Sequence, residues 1–220
     1  FSMDDAVQSL DVAVKKVNSG TVPRTIVLAD GNYRGGHPAI GSSSKVLGIQ
    51  SFPGASVWIK GSDVLPSNAW YYSDVEGFWV YSGTYVPSVD RSSGNVDQLF
   101  VDGVPYRQVD SLSLLSPGTF YVDPKLYRVY LGESSSWSID DHMIEVSMRA
   151  YVLGSNTASN TKTGFFYKGE GFTHWASDLS GPSRAVVKMN GQGQVLQNVV
   201  VAYSSGNAID VSNSTNLQMS

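Results

Sequence analysis

The chain has 220 residues, enough for one sizeable core, and its 15 Lys and Arg against 19 Asp and Glu give a net charge of -4 and a pI near 5.2. That balance excludes a general nucleic-acid binder, which needs a basic face, and the absence of Cys excludes disulfides, thiolate nucleophiles and Cys-based zinc sites. No run of about 18 apolar residues offers a membrane span, and no basic-then-apolar leader precedes the first element, although a removed leader would leave no trace.

The first element reads as an amphipathic helix. Ser2 is a candidate N-cap, Asp4 and Asp5 favour the first turn, and Ala6, Leu10, Ala13, Val14 and Val17 recur at three- and four-residue steps before Gly20 at the C′ position. The period then drops to that of a strand over Thr25 to Leu28, which ends at the turn Ala29-Asp30-Gly31. A helix laid over one end of a stack of short strands closes the open first coil of a solenoid; the alternative is an ordinary helix-strand pair of an α+β domain. No second helix is predicted. Short strands are expected at Lys45 to Gln50, Ser56 to Lys60, Phe78 to Tyr81, Gln98 to Val101, Thr119 to Val122, Arg128 to Leu131 and Met143 to Ser147. Four more are expected at Gly164 to Tyr167, Ala185 to Met189, Val195 to Val201 and Ala208 to Val211, which makes the chain all-β.

Repeats decide between sandwich and solenoid. Ala185-Val186-Val187-Lys188 recurs 22 residues later as Asn207-Ala208-Ile209-Asp210, and Asn198-Val199-Val200-Val201 recurs 18 residues later as Asn216-Leu217-Gln218-Met219. Coils of that length stack like residues on like, so Asn198 and Asn216 would meet at a bend. The middle differs, because Leu99 to Arg107 sets Asp102-Gly103 between two apolar runs, and Phe120 to Tyr130 turns through Asp123-Pro124. Both read as antiparallel hairpins. The expected organisation is a cap helix and first coils over 1–61, a hairpin-rich aromatic insertion over 62–142, and further coils over 143–220. Because Ser220 falls within a candidate strand, the coils are expected to continue in a missing C-terminal segment or to be completed by a second chain.

The order of helix, Thr25-Ile-Val-Leu-Ala-Asp-Gly-Asn-Tyr-Arg34, Phe52-Pro-Gly-Ala55, Phe100-Val-Asp-Gly103 and Gly118-Thr-Phe-Tyr-Val-Asp123 resembles secreted bacterial right-handed parallel β-helix proteins. These include polysaccharide lyases of the chondroitinase B and alginate lyase type and several glycoside hydrolase families. The resemblance covers nearly all of the chain, and its motifs are architectural rather than chemical. It implies an extracellular or cell-surface location and a polysaccharide or glycan lying in a groove along the helix. It also implies the N-terminal part of a glycoside hydrolase or polysaccharide lyase whose catalytic coils can lie outside this chain. A non-catalytic module for glycan binding, adhesion or phage tail attachment, or a structural subunit supporting a catalytic chain, stands beside that reading.

Residue by residue, a lyase needs a base and a positive charge for the enolate, roles open to Lys188 and Arg184 if they are not simply solvated charges. A glycosidase needs two carboxylates, for which Asp178 and Asp210 on different coils are candidates. No cofactor is required, and Ca²⁺ enters only for a lyase. Asp140-Asp141-His142 reads as a capped turn rather than a metal site, since neighbours on a strand face opposite ways, and no metal ligand set is assigned. Sugar-stacking candidates are Trp70, Trp79, Trp175 and Tyr203, with His174 beside them. The crowding of aromatics around Trp70-Tyr71-Tyr72 and Phe78-Trp79 is accounted for first by packing of the insertion against the solenoid flank, and exposed rings in a row would favour binding instead.

Overall fold

A computed structural model describes residues 6–83, 97–123, 125–153, 159–176 and 185–220. Helix α1 (Leu10–Ser19) is followed by β1 (Arg24–Leu28), β2 (Gly31–Arg34), β3 (Val46–Ser51) and β4 (Val57–Lys60). Then come β5 (Ser62–Leu65), β6 (Trp70–Ser73), β7 (Phe78–Tyr81), β8 (Leu99–Val101), β9 (Val104–Gln108), β10 (Thr119–Asp123), β11 (Arg128–Leu131) and β12 (Ile144–Ser147). The chain closes with β13 (Phe166–Lys168), β14 (Glu170–Trp175), β15 (Ala185–Lys188), β16 (Val195–Gln197), β17 (Val200–Ser204), β18 (Asn207–Asp210) and β19 (Gln218–Met219).

The helix starts later than the spacing predicts. Ser9 is its N-cap, with Oγ 3.5 Å from the Val12 N–H, while Ser2 lies outside the described residues. Gly20 caps the other end in an extended rather than left-handed conformation. Leu10 and Val14 are the buried positions of the helix, and they join the core beside Ile26 and Leu28 of β1.

Three parallel faces stack. The first runs β1-β3-β13-β16-β19 and the second runs β2-β4-β14-β17. The third places His37 beside Leu153, Val152 beside Val186, and β15 beside β18. Within them, in-register residues form apolar columns: Ile26, Ile49, Tyr167 and Leu196 on the first face, and Tyr33, Ile59, Phe172 and Val201 on the second. Each column buries side chains that a single coil could not cover, so the stack is the unit of stability. This is a β-solenoid, closed at its first coil by α1.

The spacing of 22 residues is real, since Ala185 pairs with Asn207 and Lys188 with Asp210. The spacing of 18 is not. Val195 pairs with Gln218 and Leu196 with Met219, so Asn198 lies level with Gly169 and Asn216 with Gly193. The two Asn therefore serve different corners, each where a neighbouring coil uses a left-handed Gly.

A second core belongs to a mostly antiparallel sheet, in which only β9 and β10 pair in parallel, inserted between β4 and the third face of the same coil in the order β5-β12-β8-β9-β10-β11-β7-β6. Asp102 and Gly103 both take positive φ in the β8–β9 turn, the geometry of a two-residue hairpin. The sheet ends at Ser147. Residues Met143 to Ser147, expected among the coils, instead include β12, which pairs with β5 and β8.

Close approach of a ring to backbone gives a test of the register. Gly171 faces Trp58 on the outside of the second face, and a Cβ added there would lie 2.3 Å from the indole. Gly171→Ala is expected to cost about 1–3 kcal/mol in urea unfolding. An unchanged midpoint would place Trp58 elsewhere.

Candidate functional site

Arg34 and Lys60 end β2 and β4 in register, so the stack sets two cations side by side on the outer surface of the second face. Glu145, from β12 of the insertion, descends onto them with no exposed surface. Its carboxylate accepts from Lys60 Nζ at 3.0 Å, pairs with the Arg34 guanidinium, and lies 3.4 Å from His174 Nδ1. Burial alone would raise this carboxyl, but the hydrogen bonds of His174, Lys60 and Arg34, with the charge of Arg34, hold it well below the usual carboxylate range.

Ser62, His174 and Glu145 meet here without forming a nucleophilic triad. Ser62 Oγ lies 3.2 Å from the same Nδ1 that faces Glu145, whereas a relay needs the hydroxyl and the carboxylate on opposite ring nitrogens. Phe100 stacks on the imidazole at 3.6 Å between centroids. The junction locks insertion to solenoid rather than reacting.

Where the second face hands over to the third, a left-handed backbone recurs at one position in three of four stacked coils, Gly61 being the exception. Gly35, His174 and Tyr203 all have positive φ, 93°, 61° and 50°. For His174 and Tyr203 this conformation costs about 1–2 kcal/mol each. His174 is buried between Phe100 and the carboxylate, so it offers no face to a sugar. Tyr203 is 51% exposed and packs edge-on to Phe100 at 5.5 Å.

Beyond this corner lies a groove of about 590 Å³ between α1 and the third face, walled by Asp11, Lys15, His37, Arg149 and Tyr151. Its cations are paired. Arg149 holds Asp63 through two bonds of 2.8 and 3.1 Å, and Lys15 holds Asp11. Lys188 is buried, its Nζ 5.4 Å from the Tyr151 ring; burial lowers its pKa and the charge of Asp210, its cross-strand partner, opposes that. Asp210 accepts from the Ser212 N–H at 2.8 Å.

Behind the groove wall His37 is buried and its pKa is pushed down to about 4 by desolvation, so it stands neutral. Its Nδ1 donates to the Pro38 carbonyl at 2.6 Å, and its Nε2 accepts from the Tyr167 hydroxyl, to which Asn160 also donates. These groups satisfy one another and hold the corner shut.

The other sequence candidates scatter. Asp178 and Arg184 lie outside the described residues. Trp175 is fully buried, its indole N–H on the Ile59 carbonyl, and Trp70 is buried in the insertion, so neither presents a face to a ligand. Trp79 is half-buried and donates to the Ser134 carbonyl. His142, at the end of the Asp140-Asp141 turn, pairs with Asp102 at 2.6 Å, and among the described residues no three His, Asp or Glu converge on a metal position. Sequence reasoning missed Arg34, Lys60, Glu145, Arg149 and Tyr151. Arg34 and Lys60 did leave a signal, as the last residues of Gly31-Asn-Tyr-Arg34 and Val57-Trp-Ile-Lys60.

Stacked parallel strands on three faces, a capping helix and a lateral, mostly antiparallel sheet define a β-helix protein with a groove at its flank. Among solved structures, that of XylC in complex with xylose superposes with a TM-score of 0.64 at 13% identity, over 91% of this chain and 38% of that one. The likeness establishes the fold, and this chain spans well under half of XylC's length. No family model and no curated protein matches the sequence. Among the described residues no helix is long and apolar enough to cross a membrane.

Proposed function

We propose that this chain is the groove-bearing part of a carbohydrate-directed β-helix protein acting on a polysaccharide or glycan outside the cell. The observation that carries the reading is the likeness, over 91% of the chain, to a structure solved with xylose. The groove adds chemistry. Tyr151 supplies an aromatic ring, and the paired charges Arg149–Asp63 and Lys15–Asp11 supply donors and acceptors with little net field. That pattern favours a neutral sugar over a uronate. An eliminating lyase needs an uncommitted cation for its enolate, whereas the cations of Arg34, Lys60, Arg149 and Lys15 are each committed to a carboxylate. None of these four is therefore placed to serve an eliminating lyase. Because Asp11, which lines the groove, and Asp63, the partner of Arg149, are themselves engaged, glycan binding is the role this reading gives this part.

A panel of neutral and acidic oligosaccharides, titrated by calorimetry and assayed for reducing ends and unsaturated products, tests this. Xylo-oligosaccharides are expected to bind, and Tyr151→Ala to weaken them about tenfold, the loss of one stacked ring. Preference for oligogalacturonate, or release of unsaturated products, would overturn the neutral-glycan reading.

A further inference from the structure

The insertion carries a second set of rings, far in sequence from the groove and not used by it. Tyr72 and Trp79 are cross-strand partners in β6 and β7, with centroids 5.7 Å apart. Trp79 meets Trp137 edge-on at 6.3 Å, and Trp137 lies flat on His142 at 4.5 Å with 6° between planes. The four rings form one row, each half-buried, at the edge of the insertion's core.

This row is held in place. The Trp79 indole N–H donates to the Ser134 carbonyl at 3.1 Å. His142 Nδ1 donates to Asp102 at 2.6 Å, and the other Asp102 oxygen accepts from the Met143 N–H at 2.9 Å. That arrangement leaves His142 Nε2 on the far side of the ring, where it can meet a ligand hydroxyl. Rings fixed before binding lose little entropy when a ligand arrives.

We propose that this row is a second glycan-binding surface, which grips a neutral pyranose chain by stacking on Tyr72, Trp79 and Trp137 and by a hydrogen bond at His142. A pyranose has an apolar C–H face ringed by hydroxyls, which matches aromatic faces bordered by polar groups. The charge at the rim selects among sugars. Exposed Asp140 and Asp141 stand in the turn before His142, beside Asp102, so an anionic sugar is repelled while neutral hydroxyls find acceptors. The inference does not depend on the groove.

The test is a titration of the whole chain with xylohexaose and with hexagalacturonate, followed by the indole N–H resonances. The signals of Trp79 and Trp137 are expected to move with xylohexaose while that of buried Trp175 stays. Trp137→Ala should weaken this binding, read at the Trp79 indole signal, at least tenfold and His142→Gln several-fold; His142→Gln guards against a Trp137 variant that fails to fold. Stationary Trp79 and Trp137 signals, wild-type affinity in both variants, or equal response to hexagalacturonate would each overturn the proposal. So would concentration-dependent self-association abolished by His142→Gln, which would assign the row to a second copy of the chain. Loss of the Tyr151 effect alone refutes the groove and leaves this surface standing.

Discussion

Glu145→Ala is expected to lower the unfolding free energy by about 3–5 kcal/mol, the usual cost of removing one partner from a buried ionic cluster. The wild-type carboxylate has no exposed surface and bridges Arg34 and Lys60, offsetting one of their two positive charges. Without it, Lys60 remains almost fully buried beside a second cation of the same sign. Arg34 retains partial access to water and can turn outward, so the penalty falls mainly on Lys60. This predicts a recovery. Glu145→Leu combined with Lys60→Met removes the buried charge from both sides, and is expected to restore most of the loss in urea titrations. Because Glu145 belongs to the insertion and its partners to the solenoid, the single variant should also loosen one core from the other. Hydrogen exchange in β5, β8 and β12 should then rise before that in β3 and β13. A change of less than 1 kcal/mol in the single variant would show that the carboxylate is hydrated.

What the sequence disclosed follows from which interactions are local. Cap helix, most of the expected strands and the Asp102-Gly103 hairpin are written in spacings and turn chemistry over a few residues and are present. Val195 to Val201, expected as one strand, is broken by the left-handed corner at Asn198 into β16 and β17 on different faces. The 22-residue repeat was legible because both copies are strands of the third face that pair in register, Ala185 with Asn207 and Lys188 with Asp210. The apparent 18-residue repeat matched Asn to Asn, yet a left-handed corner accepts Gly and Asn alike, so residue identity did not report register. Burial was the harder quantity. Trp175 and His174 lie next to each other on β14, and both looked available as sugar ligands; Trp175 points into the core, while His174 is covered by Phe100 from 74 residues away. The charge junction was illegible for the same reason. Glu145 lies between Ile144 and Val146 in what reads as an ordinary strand, and only the pairing of β12 with β5 and β8 brings it over Arg34 and Lys60.

Glu170→Gln is expected to stabilise the protein, and increasingly so as pH rises. Glu170 shares the inward column of the second face with Val57 and is almost completely buried. Neither carboxyl oxygen finds a donor in bonding geometry, so burial, only partly offset by the nearby N–H groups of Glu170 and Lys168, pushes its pKa up from 4.5 to about 8. The folded state therefore keeps a proton that the unfolded state releases above about pH 4.5. Stability from this group is complete below that pH and declines through the window up to about 8, by roughly 1.4 kcal/mol per pH unit. His37 acts oppositely. Its folded pKa of about 4 against an ordinary 6.5 means that stability is complete above 6.5 and is lost as pH falls toward 4. Between about pH 4.5 and 6.5 the two slopes cancel, giving a plateau; Glu170 lowers stability above it, and His37 with Glu145 lower it below. Glutamine, neutral at every pH, keeps the shape and removes the alkaline slope. The gain is about 2 kcal/mol at pH 6 and about 5 kcal/mol above pH 8, measured by urea unfolding across pH. His37→Gln serves as the converse control: it removes the opposing slope, so the plateau disappears and stability falls with rising pH from about 4.5 instead of 6.5. If Glu170→Gln unfolds with the wild-type slope between pH 6.5 and 8, the carboxylate is ionised and has a partner, and the column around Val57 must open to admit one.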